Sequence, residues 1–294
     1  MRRLISVGLA ALVVTATGLV IASVVPSDAA GRRSCPIIFT PKPGGGFWRC
    51  TFSDEFNGRS LDLTKWTAQV SSSGGFITKP ACLSDSPNNV SESGGTLKLT
   101  LRKEATPVEC QSPTGPFEAD YTTGSVTTWG KFSQAYGRYE IRAKFPPATI
   151  AGLQEALWMV PQNIAKYGPW PLSGEIDIAE AYSSLPDRAI PFVHYVSSGY
   201  DANVTNNYCM ISDLTAFHTY LLVWTPRFIQ ISYDGRVCIK DAWTPAKPLV
   251  KPQPFDQPFV LALTQGIGVG PNSFSETTTP VPATTEIDYV RVWS

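Results

Sequence analysis

Three carboxylates fall within six residues in the stretch Gly174-Glu175-Ile176-Asp177-Ile178-Ala179-Glu180, interleaved with branched and small apolar side chains. Such alternation predicts a β-strand with one polar and one buried face. Side chains on a strand repeat with period two, which puts Glu175 and Asp177 on one face and, by parity alone, Glu180 on the other. One extra residue near Ile178-Ala179, a β-bulge, returns Glu180 to the acidic face. A flat strand would hold the Glu175 and Glu180 Cα atoms roughly 13–16 Å apart. Paired carboxyl groups that split a glycosidic bond with retention stand only about 5–5.5 Å apart. A bulged, concave strand brings two inward-reaching glutamates together, so the stretch predicts a curved sheet with a cleft on its inner face. An exposed acidic strand or a hard-cation site fits less well. Acidic residues are poorly represented in strands, like charges on one face repel, and a cation site of Asp and Glu oxygens usually comes from a loop.

The surrounding chain is consistent with strands. Residues 96–101 alternate cleanly, and 124–128, 137–145, 219–224, 228–233, 259–263 and 287–293 repeat the pattern. Asp234-Gly235, between Tyr233 and Arg236, is a hairpin signal. No long stretch has helical periodicity, and 25 prolines oppose helix-rich structure. With neither a repeat nor a low-complexity linker, one all-β sandwich over residues 51–294 is the simplest organisation. Residues 30–50, with Pro36, Pro41, Pro43 and Gly44-Gly45-Gly46, form an irregular lead-in.

Composition narrows the partners. The 294 residues carry no net charge, charged residues are 16% and aromatics 11%. A phosphate-gripping surface needs clustered basic residues, so nucleic acid is not an expected partner. An uncharged ligand met by stacking and hydrogen bonds fits better. Arg2 and Arg3, the apolar run 4–25 and Pro26-Ser27-Asp28-Ala29-Ala30 have the order of a signal peptide, residues 1–29, cut after Ala29. The run could also span a bilayer as an uncleaved anchor. Cleavage would leave a secreted protein with no membrane attachment. Six cysteines in an exported chain predict disulfides, with fifteen connectivities. Sequence neighbours suggest Cys35–Cys50, Cys82–Cys110 and Cys209–Cys238. No CxxC pair and only two histidines leave little for zinc or redox chemistry.

Over residues 51–294 the motifs fall in the order of a known family. Phe52-Ser53-Asp54-Glu55-Phe56-Asn57-Gly58 is followed by Trp66, Gly95-Thr96-Leu97-Lys98-Leu99 and Tyr136-Gly137-Arg138-Tyr139-Glu140-Ile141-Arg142. Trp170-Pro171, the acidic strand, His194-Tyr195, Phe217-His218-Thr219-Tyr220, Trp224-Thr225-Pro226 and Ile287-Asp288-Tyr289-Val290-Arg291-Val292 complete the series. The chain resembles glycoside hydrolase family 16, specifically the laminarinase-like endo-β-1,3-glucanases with a bulged E-x-D-x-x-E strand.

The resemblance implies a jelly-roll sandwich of two curved antiparallel sheets with the substrate cleft on the concave one. It implies Glu175 as nucleophile, Glu180 as general acid/base and Asp177 as the group that tunes them. Trp170 would be a sugar platform and His194 a cleft residue; Trp158, among apolar neighbours, fits cleft or core, and His218 is taken as structural. No cofactor is implied for catalysis. A structural calcium ion would be held by Glu55, the Gly95 carbonyl and Asp288. The segments 152–158 and 264–268 depart from the family's usual residues, which leaves the substrate open. The implied function is a secreted, monomeric hydrolase of β-1,3-glucan. Alternatives are a wall-remodelling transglycosylase, a hydrolase of another β-glucan or galactan, and a non-catalytic glucan-binding protein.

Overall fold

The computed structural model describes residues 35–72, 79–112, 115–197 and 200–294, with the backbone alone for 200–203. The proposed signal peptide, residues 1–29, lies outside the described residues. In chain order the strands are β1 (Cys50–Asp54), β2 (Thr67–Ala68), β3 (Ala81–Leu83), β4 (Val90–Ser93), β5 (Thr96–Cys110) and β6 (Phe117–Thr123). There follow β7 (Ser125–Thr127), β8 (Gly137–Lys144), β9 (Leu153–Pro161), β10 (Glu175–Tyr182), β11 (Ala189–Ser197) and β12 (Tyr200–Thr205). Then come β13 (His218–Trp224), β14 (Ile229–Tyr233), β15 (Arg236–Asp241), β16 (Phe259–Ile267) and β17 (Ala283–Trp293). Among the described residues no helix is long and apolar enough to cross a membrane.

The strands form two sheets. One runs β15-β14-β13-β8-β17-β5-β6-β3, with β1 added to β17 and β4 to β5; the other runs β12-β11-β10-β9-β16-β7-β2. Alternation explains the packing. In β8 and β9 every second residue is buried, so Tyr139, Ile141 and Ala143 face Leu157 and Met159 in a shared core with Ile176, Leu222, Leu261 and Val290. Burying each Leu, Ile, Met or Val side chain among them contributes roughly 1.5–3 kcal/mol. At the β14–β15 turn both Asp234 and Gly235 have positive φ, 47° and 81°. That is the handedness a two-residue hairpin requires, and Tyr233 pairs with Arg236 across it.

One pairing differs from the antiparallel expectation. β3 lies parallel to β6, because β4 and β5 intervene and give the chain the long crossover that a parallel pair needs. The Cys82–Cys110 disulfide joins β3 to the end of β5. Cys35–Cys50 ties the lead-in to β1, and Cys209–Cys238 ties the loop after β12 to β15. These are the neighbour pairings suggested by the sequence, and they suit a protein matured in an oxidising compartment.

Candidate active site

The acidic stretch forms β10, and it carries the bulge. Against β9, Asp177 faces Trp158 while Ala179 faces Leu157, so two steps on β10 match one on its neighbour. Against β11, Asp177 faces Phe192 and Glu180 faces Ile190. Ile178 and Ala179 are both wholly buried in the core. Glu180 consequently emerges on the face of Glu175 and Asp177. A bulge disturbs the hydrogen-bond ladder. Here the Ile178 carbonyl is met from the opposite sheet by the Tyr233 hydroxyl, which donates to it at 2.9 Å.

All three carboxylates line one cleft of about 270 Å³ on the outer face of the seven-stranded sheet. Gln154, Ala156 and Trp158 of β9 and Thr264, Gly266 and Ile267 of β16 line it too, with Lys79 and Val269. Trp158 is therefore a cleft residue, with its indole N–H donating to Thr264 Oγ1 at 3.0 Å. Both segments that depart from the family pattern contribute to this wall.

His194 lies directly opposite Glu175 on β11. Its Nε2 is 2.9 Å from Asp177 Oδ2, and single ligand atoms of Glu175, Asp177 and His194 lie within 4.8 Å of one another. These donors are close enough to share a cation, although carboxylate–imidazole pairing accounts for the same closeness. The Trp170 ring sits 5.6 Å from the His194 ring, centroid to centroid, and is 54% exposed. Its exposure rules out a core role. The other histidine, His218, lies between Asp234 and the Asp213 carbonyl, in keeping with a structural role.

Burial dominates the electrostatics. Asp177 is 2% exposed. Burial raises the Glu175 carboxyl to about 8, with the nearby Asp177 charge adding to the rise and His194 opposing it. Asp177 is likewise raised, first by burial and then by the charge of Glu180, while a hydrogen bond with Glu175 acts the other way. Glu180 is raised by burial; hydrogen bonds from Tyr182 and Gln154 partly offset this. Tyr182 donates to Glu180 Oε2 at 2.6 Å and Gln154 Nε2 donates to Oε1 at 3.0 Å. Sequence reasoning missed both donors. Tyr182 was within reach of it, since period two sets it on the face of Glu180; Gln154 comes from a neighbouring strand.

The residues proposed for calcium lie on the other sheet and its turns. Glu55 accepts from Arg291 with both oxygens, at 2.8 and 2.7 Å, and Asp288 pairs with Arg142. Gly95 is the second residue of the Gly94-Gly95 turn between β4 and β5. Calcium takes six to eight oxygen donors, but both carboxylates here are already balanced by guanidinium groups. This donor set does not fit a calcium ion.

Carboxyl groups gathered on the face of one cleft are what cleavage of a glycosidic bond by paired acids requires. The model for "Glycosyl hydrolases family 16" matches residues 78–267. The chain is 32% identical over 269 residues to glucan endo-1,3-beta-glucosidase A1 of Niallia circulans, covering 82% of this chain and 37% of that one. It is 29% identical over 248 residues to keratan-sulfate endo-1,4-beta-galactosidase of Sphingobacterium multivorum, covering 82% and 54%. It therefore spans only about a third to a half of those two relatives. Its structure is similar to the catalytic domain of an endo-1,3-beta-glucanase (laminarinase) from Thermotoga petrophila, with TM-score 0.67, 28% identity, and 84% of this chain and 98% of that chain covered. The chain belongs to glycosyl hydrolase family 16.

Proposed function

We propose that this protein is a secreted, monomeric endo-hydrolase that cleaves β-1,3-glucan with retention of anomeric configuration. The observation that carries the reading is the bulge at Ile178-Ala179, which returns Glu180 to the face of Glu175 and Asp177. All three carboxylates come from one strand, so no second chain is needed to complete the site. The similarity to a glucan endo-1,3-beta-glucosidase supports the substrate, and three disulfides support export.

In the first step a Glu175 oxygen attacks the anomeric carbon while the bond from that carbon to the leaving oxygen breaks. Glu180 gives its proton to the leaving oxygen. In the second step water yields a proton to Glu180, its oxygen bonds to the anomeric carbon, and Glu175 departs. Asp177, whose charge raises the neighbouring Glu175 carboxyl, tunes the ionisation of the nucleophile. Gln154 and Tyr182 fix the orientation of Glu180.

A galactan-cleaving enzyme is a second reading, motivated by the keratan-sulfate endo-1,4-beta-galactosidase relative. The test is incubation with laminarin, mixed-linkage β-glucan, galactans and keratan sulfate, with products resolved by size. Oligosaccharides from laminarin are expected, and Glu175→Gln should reduce their formation at least about a hundredfold. Cleavage confined to galactans or keratan sulfate would favour the second reading. A folded Glu175→Gln protein with near wild-type turnover would remove Glu175 as nucleophile.

A further inference from the structure

We infer that Trp129 is a distal sugar platform of the cleft, stacking on a pyranose unit of the substrate chain remote from the scissile bond. The inference rests on reading the cleft as a glycan-cleaving site. A transverse row crosses the sheet: Asp177 faces Trp158, Trp158 faces Ala262, and Ala262 faces Thr127. Adjacent strands lie about 4.7–4.9 Å apart, which puts β7 about 14 Å from β10. A sugar in contact with Glu175 therefore cannot be the one that reaches the β7 edge.

Trp129 follows the end of β7 by two residues. Val126 belongs to the core between the sheets, so strand alternation assigns Thr127 to the cleft face, and Trp129 opens the turn that follows, in which the Lys131 and Phe132 N–H groups donate to the Thr128 carbonyl. The backbone there is held at two points. Its N–H donates to Thr127 Oγ1 at 3.3 Å, and its carbonyl accepts from Thr67 Oγ1 at 3.4 Å. On this anchored backbone the Trp129 side chain is 45% exposed. Single exposed apolar side chains are ordinary; this one follows β7, the strand on which the row from the catalytic strand ends.

On the other side of β10, Trp170 is exposed against His194. Two uncovered indoles thus flank the carboxylates along the direction across the strands. Indole faces suit the apolar C–H faces of pyranose rings. A chain laid across the sheet would meet Trp170, the carboxylates, Trp158 and then Trp129. Substrates long enough to reach Trp129 should gain affinity that short ones lack.

The test compares wild type, Trp129→Ala and Trp129→Phe on a length series of whichever β-glycan the wild-type protein cleaves. Trp129→Ala should lower kcat/KM on long oligomers about tenfold through KM, leave kcat and the shortest cleaved oligomers unchanged, and be largely rescued in Trp129→Phe. Trp129→Gln provides the same comparison if the alanine variant folds poorly. Equal losses at every length, or no loss on long oligomers, would overturn the inference. Failure of the β-1,3-glucan reading would change the glycan used and leave the length comparison intact.

Discussion

Carboxylate oxygens of Glu175 and Asp177 lie within 4.8 Å of each other, and the Asp177 charge adds to the burial that raises the Glu175 carboxyl. Asp177→Asn should keep the side-chain size and place a hydrogen-bond donor beside Glu175 while removing a negative neighbour. Removing that charge lowers the Glu175 pKa, so the acidic limb of the kcat/KM profile should move to lower pH. The rate should also fall at least about tenfold, because the contact that orients His194 changes with it. An acidic limb that stays in place would show that Asp177 does not govern the ionisation of Glu175. At this scale the carboxylates could be read from the sequence because three acids in one strand have few other uses. The partners of Glu55 and Asp288 could not. A sequence identifies oxygen donors but does not show that Arg291 and Arg142 lie against them across the sheet.

The bulge in β10 is the element on which the site turns. Its place could be inferred from parity alone, since Glu180 is out of phase with Glu175 and Asp177. What holds it was not legible, because Tyr233 is on β14 in the other sheet and meets Ile178 only after the sheets pack. Tyr233→Phe removes the donor and leaves a buried carbonyl unpaired, at a cost of about 1–3 kcal/mol. The melting temperature should fall, and kcat should fall more than KM rises as Glu180 loses its setting. If stability drops with kcat unchanged, the bulge keeps its shape without Tyr233. Local chemistry likewise revealed the Asp234-Gly235 hairpin, whereas the parallel β3–β6 pairing depends on how distant segments cross.

Across the whole molecule, a buried polar chain links the sheets. Gln265 donates to Glu155 at 2.8 Å, and Thr285 donates to Gln265 at 2.8 Å, connecting β9 and β16 to β17. Burial raises Glu155 from its ordinary 4.5 to about 8, partly offset by the Gln265 hydrogen bond. The folded protein keeps a proton that the unfolded chain releases. The contribution of Glu155 is thus complete below about pH 4.5 and is lost as pH rises through about 8, by at most about 1.4 kcal/mol per pH unit. Glu155→Gln should remove this component, so denaturant unfolding from acid to mildly alkaline pH should show a shallower decline than wild type. Identical pH slopes would mean that Glu155 is not the buried acid described. The proposed stereochemistry belongs to this scale too: retention requires that Glu175 attack the sugar directly with no water between them. Proton NMR in the first minutes of hydrolysis, before mutarotation, tests this most directly. Two displacements predict that a β-linked substrate releases β-configured reducing ends first; α-configured ends appearing first would contradict Glu175 as nucleophile and Glu180 as its acid/base partner.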